Sequence, residues 1–178
     1  MKHPIIDAYV KAESYQGFDH FGYDVNEVLR SIPWENIDPL KQQAISTLDS
    51  LFKDSCSSPL TLYRAASMGT LTPFISQDVL NYPAFMSTSR SLGAAAVFLN
   101  RIEQGQEAVL MKIIYPANCP YIDAVGINNE QEVLLPRNKT FAVGEWAPDE
   151  EEQMHIGLMY SGNAKLLMAL PFPKPLKI

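Results

Sequence analysis

Three observations predict an α+β fold. Helical spacing and helix caps occupy residues 1–55, short alternating or apolar runs fill residues 60–178, and the polar loop Asp54-Ser55-Cys56-Ser57-Ser58-Pro59 separates them. Helices first and strands afterwards argue against alternating βαβ units. A chain of 178 residues is the length of one domain and can bury a core. The reading is a single domain, 1–178, made of a helical lobe (1–55) and a β-rich core (60–178).

Residues 3–52 read as helical. Asp24-Val25-Asn26-Glu27 has the pattern of a capping box, with Asp24 as N-cap and Glu27 three residues on. Val25, Val28 and Leu29 give that helix one apolar stripe, and Pro33 ends it. The next helix takes Asp38 as N-cap and Pro39 at its first position. Leu40, Ala44, Ile45, Leu48, Leu51 and Phe52 keep helical spacing along it.

From residue 60 the period changes. Leu60-Thr61-Leu62-Tyr63-Arg64 alternates as a strand does, and Phe85 to Ser89 forms a second strand. Ala94 to Ile102 reads as a short helix with Val97, Phe98 and Ile102 as its apolar face. Glu107 to Tyr115 is a longer, mostly buried strand closed by Pro116. Further strands are expected over Glu130 to Leu135, Lys139 to Trp146, and His155 to Leu170. The last is split by a hairpin turn at Ser161-Gly162-Asn163. Asp149-Glu150-Glu151-Glu152 reads as a solvated loop anchored by Trp146.

Composition narrows the function. The net charge of −6 argues against a general nucleic-acid binder. Cys56 and Cys119 are too few for a disulfide framework and read as small buried apolar residues. They share no metal-ligand spacing with His3, His20 or His155, so no metal is expected. The N-terminus has no apolar export segment, and no run approaches transmembrane length. A cytoplasmic monomer that leaves membranes alone is the expectation.

The chain's chemistry centres on Asn128-Asn129-Glu130-Gln131-Glu132-Val133-Leu134-Leu135-Pro136-Arg137. Read as a strand, it turns Glu130 and Glu132 to one side. Like charges side by side cost energy unless a ligand or partner uses them, although a solvated strand edge fits the pair taken alone. Tyr63-Arg64-Ala65 sets a single arginine in an apolar strand. It fits a salt-bridged strand end, or a guanidinium gripping a phosphate. Ser87-Thr88-Ser89 puts Ser87 and Ser89 on one face and Thr88 on the other. A hydroxyl that donates and accepts can pin a carboxylate, and strand-end hydroxyls also serve as plain edge residues. No His or Lys is arranged to activate either serine, which leaves a serine hydrolase weakly supported.

Taken together, Tyr63-Arg64-Ala65, Phe85-Met86-Ser87-Thr88-Ser89 and Glu130-Gln131-Glu132-Val133-Leu134-Leu135-Pro136 resemble the R-S-E signature of mono-ADP-ribosyltransferases. The similarity is to the branch with exoenzyme-type bacterial toxins and phage-encoded modifiers of host proteins. Tyr23 to Arg30 also resembles that family's "IN..LR" helix, so the resemblance runs from about Tyr15 to Val143.

The resemblance implies two small packed, mostly antiparallel sheets with an NAD cleft between them. It implies a role for each residue. Arg64, with Ala65 beside it, would hold the NAD pyrophosphate. Ser87 would orient Glu132, while Thr88 and Ser89 would shape the nicotinamide-ribose pocket and the strand beneath it. Glu132 would be the catalytic glutamate, stabilising positive charge on the ribose. Glu130 would align the acceptor, and a Glu there goes with arginine as the acceptor. Phe98 is a candidate to cover the nicotinamide and equally fits the core. Asp123 to Asn129 corresponds to the family's substrate-recognition turn and lacks the aromatic that some members carry.

The implied activity is transfer of ADP-ribose from NAD, consumed as substrate, to a target protein, possibly in a host's transcription or translation machinery. NAD glycohydrolysis at the same cleft is the alternative, and a silent binding module on the same fold is the third reading. Retention of Glu130 favours transfer over hydrolysis. Retention of Arg64, Ser87 and Glu132 argues against the silent module.

Overall fold

A computed structural model describes residues 21–123 and 131–172. Its elements in order are α1 (Phe21–Ser31), α2 (Pro39–Asp49), β1 (Leu60–Ser67), α3 (Met68–Leu71), β2 (Ile75–Ser76), β3 (Val79–Tyr82) and β4 (Met86–Ser89). They continue with α4 (Leu92–Val97), β5 (Ala108–Tyr115), β6 (Ile122–Asp123), β7 (Glu132–Leu135), β8 (Lys139–Glu145), α5 (Glu150–Met159) and β9 (Lys165–Pro171). The class is α+β, as the order of periods predicts. Residues 3–20, the 124–130 part of the expected recognition turn and strand, Glu130 included, and the tail from Pro173 lie outside the described residues.

The chain divides into two compact units. The first takes residues 1–55, 82–88 and 120–139; the second takes 56–81, 89–119 and 140–178.

In the first unit, α1 is already running at Phe21, so Asp24 lies inside the helix and is not its N-cap. Val25 and Leu29 face the core. Helix α2 starts as predicted: Asp38 accepts from the Leu40 amide at 3.1 Å, and Pro39 sits in the first turn, where it forfeits no hydrogen bond. Ile45 and Leu48 are fully buried, but Leu40 is 75% exposed. At the second helical position Leu40 precedes the first complete turn, so spacing alone assigned it to the wrong side. Strand β7 pairs antiparallel with β6, Ile122 opposite Leu134. All four of its residues are buried. A strand covered on both faces reads as the continuous apolar run Val133-Leu134-Leu135. Full burial of each such side chain contributes roughly 1.5–3 kcal/mol.

In the second unit, β1 pairs antiparallel with β5 along its whole length, Leu60 opposite Tyr115 through Ser67 opposite Ala108. Strand β9 lies parallel to β5, and β8 antiparallel to β9. Leu92, Ala95, Ala96 and Leu99 pack with Ala108, Leu110 and Trp146 into a core. This corrects the expected helix face. Ser91 caps α4 by accepting from the Ala94 amide at 3.1 Å, which starts the helix before Ala94 and turns Val97 outward to 43% exposure.

A second correction concerns residues 149–164. Asp149 and Glu152 form a capping box, Asp149 accepting from the Glu152 amide at 2.8 Å and Glu152 from the Asp149 amide at 3.1 Å. The acidic run is therefore a helix start, favoured by the dipole at an N-terminus. His155 lies within helix α5, not in a strand. Ser161-Gly162-Asn163 connects α5 to β9 in place of the expected hairpin. Trp146 does anchor the segment, buried in the core with its amide donating to the Leu166 carbonyl at 3.2 Å.

Candidate active site

The first unit brings Ser87 and Glu132 together. The Ser87 hydroxyl donates to Glu132 Oε1 in a short hydrogen bond. Glu132 opens β7 and is only 7% exposed, so its carboxylate is largely removed from water. A buried carboxylate costs free energy unless hydrogen-bonded, and a hydroxyl donor offsets part of that cost.

One residue along β4, Thr88 Oγ1 donates to the Val133 carbonyl at 2.7 Å. Two adjacent hydroxyls thus grip two adjacent residues of β7, one at its carboxylate and one at its backbone. The Thr88 hydroxyl thereby ties β4 to the backbone of β7. Gln131, just before Glu132, has φ 52° and is exposed. That left-handed turn interrupts the strand at Gln131, so β7 begins at Glu132.

The start of β4 is held from α1. Asn26 is 1% exposed, and its Oδ1 accepts from the Phe85 amide at 3.1 Å. Phe85 itself is fully buried and stacks on Phe52, ring centroids 5.7 Å apart. Arg30, one turn beyond, donates to the Tyr82 hydroxyl at 3.0 Å. Asn26 escaped the sequence reading, although it carries a signal: a polar residue inside a helix, between the apolar positions Val25 and Leu29. Beyond the far end of β7, Arg137 Nε donates to both Asp49 carboxylate oxygens at 3.1 and 3.0 Å. Its guanidinium lies 4.7 Å over the Trp34 ring.

Arg64 lies in the second unit, on β1 opposite Met111. It is half-buried, with its Nε shielded from solvent. Ala65 points to the other face of the strand and packs against the core of α4. Ser89 pairs with Tyr63, beside Arg64 in the chain. Its hydroxyl accepts from the Ser91 amide at 3.0 Å, which ties it to the start of α4. Phe98 is half-buried just past the end of α4, with the Arg101 guanidinium 4.4 Å over its ring. Among the described residues, no group of three His, Cys, Asp or Glu could hold a metal ion.

A profile of the ADP-ribosyltransferase exoenzyme family matches residues 11–170. The chain belongs to that family. It is a mono-ADP-ribosyltransferase of the exoenzyme type. Solved structures share the fold at low identity. The C3stau2 enzyme from S. aureus, determined with NAD, is 18% identical with a TM-score of 0.63, covering 96% of this chain and 86% of that one. The Vis toxin of Vibrio splendidus, determined with agmatine, is 20% identical with a TM-score of 0.63 and coverages of 98% and 77%. The C3 exoenzyme of Clostridium limosum is 16% identical with a TM-score of 0.62 and coverages of 93% and 83%. No curated protein sequence matches significantly.

Proposed function

We propose that this ADP-ribosyltransferase modifies arginine side chains of target proteins, with Glu132 as the catalytic carboxylate and Glu130 as the residue that aligns the acceptor. The observation that carries the reading is the buried Glu132 carboxylate, held by Ser87 at the start of β7, two residues after Glu130.

The residues suit a dinucleotide whose ribose gains positive charge as its bond to nicotinamide loosens. Arg64 offers a planar guanidinium, fixed by a strand paired along its length, which fits a pyrophosphate through charge-assisted bonds. Glu132 supplies negative charge where the ribose becomes positive. Because Ser87 and β7 hold that charge in place beforehand, little reorganisation is needed when the bond breaks. Nicotinamide leaves as a neutral molecule, so no strong general acid is required.

An arginine acceptor is a guanidinium that must be positioned and relieved of a proton, and a second carboxylate suits both tasks. Glu130 is that carboxylate in this sequence. Supporting chemistry comes from the Vis toxin, whose structure holds agmatine, a guanidinium compound.

The test uses labelled NAD, purified wild type, Glu130→Gln and a polyarginine or agmatine acceptor. Wild type should transfer label to the acceptor. Glu130→Gln should lose transfer while still releasing nicotinamide. Equal transfer by both proteins would remove Glu130 from the acceptor side. Nicotinamide release by wild type without transfer to any acceptor would favour glycohydrolysis.

A further inference from the structure

The segment that carries Phe98 is fastened at both ends by polar side chains, and all of it lies within the second unit. It begins at Ser89, the buried last residue of β4, whose hydroxyl accepts from the Ser91 amide at 3.0 Å. Ser91 then caps α4. Its hydroxyl accepts from the Ala94 amide and its carbonyl from the Ala95 amide, both at 3.1 Å. A cap fixes where a helix starts, and this one ties that start to Ser89. At the far end, the exposed Asn100 side-chain amide donates to two carbonyls, that of Val97 at 3.1 Å and that of Met159 at 2.9 Å. The second bond reaches the last residue of α5. Met159 also lies over Gly93, where a Cβ would stand 3.6 Å from its methyl group. Between the two fastenings, Leu92, Ala95, Ala96 and Leu99 pack toward Tyr63 and Ala65 of β1.

We propose that Ser91 and Asn100 are positioning residues for NAD, which hold Ser89 and Phe98 in the arrangement that receives the dinucleotide. The proposal rests on the transferase reading, with Ser89 and Phe98 beside the nicotinamide as the resemblance implies. Helix α4 has only six residues, and so short a helix depends on caps and tertiary contacts to form. Phe98 stands between exposed Val97 and buried Leu99, so a small rotation of the turn would carry its ring into the core or into solvent. The two Asn100 bonds resist that rotation at one end, and the Ser91 cap resists it at the other. Losing either fastening lowers the fraction of molecules in the receiving arrangement, and apparent affinity falls by that fraction. Bound NAD selects the same arrangement through its own contacts, so the chemical step assigned to Glu132 and Ser87 is little changed. The signature is a rise in KM for NAD without a matching fall in kcat.

The experiment measures nicotinamide release over a range of NAD concentrations by wild type, Ser91→Ala, Ser91→Thr, Asn100→Ala and Phe98→Ala, with amide hydrogen exchange alongside. Ser91→Ala and Asn100→Ala should each raise KM about 3–10-fold while kcat stays within about two-fold of wild type. Both should speed exchange over residues 92–101 and leave the β5 amides as slow as in wild type. Ser91→Thr keeps the cap oxygen and should return KM and exchange to near wild type. An unchanged KM in either alanine variant, with KM still raised by Phe98→Ala, would overturn the proposal and leave the transferase reading standing. Faster exchange that extends through β5 would also overturn it, by showing a loss of the whole fold's stability. Wild type that releases no nicotinamide would remove the transferase reading, and the proposal with it.

Discussion

The Ser87 hydroxyl donates to the Glu132 carboxylate, so the orientation of the catalytic candidate on β7 is set from the neighbouring strand β4. Removing that donor leaves a buried carboxylate to find another. Ser87→Ala should lower the rate of NAD cleavage by about 10–100-fold, the equivalent of roughly 1.5–3 kcal/mol for a hydrogen bond to a charged group. Steady-state nicotinamide release checks this. The loss should fall on kcat more than on KM, because in the proposed reaction the bond orients a carboxylate that acts as charge develops.

Asn26 acts one step further back. Its side chain satisfies the buried Phe85 amide at the entrance to β4. Asn26→Ala orphans that donor and should cost about 1–3 kcal/mol of stability in urea unfolding. Asn26→Asp keeps an acceptor oxygen and should recover activity better than Asn26→Ala does.

The fold class, the capped start of α2 and the buried run of β7 were legible because each rests on local chemistry: period, a cap, a continuous apolar run. The pairing of Ser87 with Glu132 was legible only through the resemblance, since no local rule joins residues 45 apart. Two misreadings have one cause. Spacing identifies an amphipathic segment and does not say which end of its stripe meets the core. Spacing therefore places Leu40 and Val97 inward, and both lie outward. At residues 149–164 the acidic run masks a capping box, while the same Asp-x-x-Glu pattern at Asp24 lies inside a helix that is already running. Which of two identical cap patterns starts a helix is decided by what lies upstream.

Helix α2 and the end of β7 are joined by Arg137, which forks onto Asp49 and lies over Trp34. The ion pair is partly exposed and the stacking adds to it, so Arg137→Ala should destabilise by about 1–2 kcal/mol. Nicotinamide release at a temperature well below the melting midpoint should stay within a few-fold of wild type. A much larger loss would place Arg137 in the active site.

Alkaline pH should unfold the protein early. Burial pushes the Tyr63 and Tyr115 phenols above their ordinary value, and the hydrogen bond to Glu152 raises the Lys112 ammonium. Each group is better protonated in the fold than in the unfolded chain. The stability they contribute is complete below about pH 10, where the unfolded groups begin to lose protons, and falls as pH rises further. Lys112 adds little, since its ion pair is partly exposed, and the two tyrosines carry the effect. Urea midpoints between pH 8 and pH 11 should decline above pH 10. Ultraviolet titration should show delayed ionisation for two tyrosines until unfolding, and Tyr115→Phe should weaken the decline.

The central claim is that Glu132 carries the chemistry. Nicotinamide release from NAD by wild type and by Glu132→Gln, a nearly isosteric change that removes only the charge, tests it most directly. Both should fold alike by circular dichroism, and the variant should release nicotinamide at least about 10²–10³-fold more slowly. A Glu132→Gln protein that folds and cleaves NAD at the wild-type rate would contradict the account.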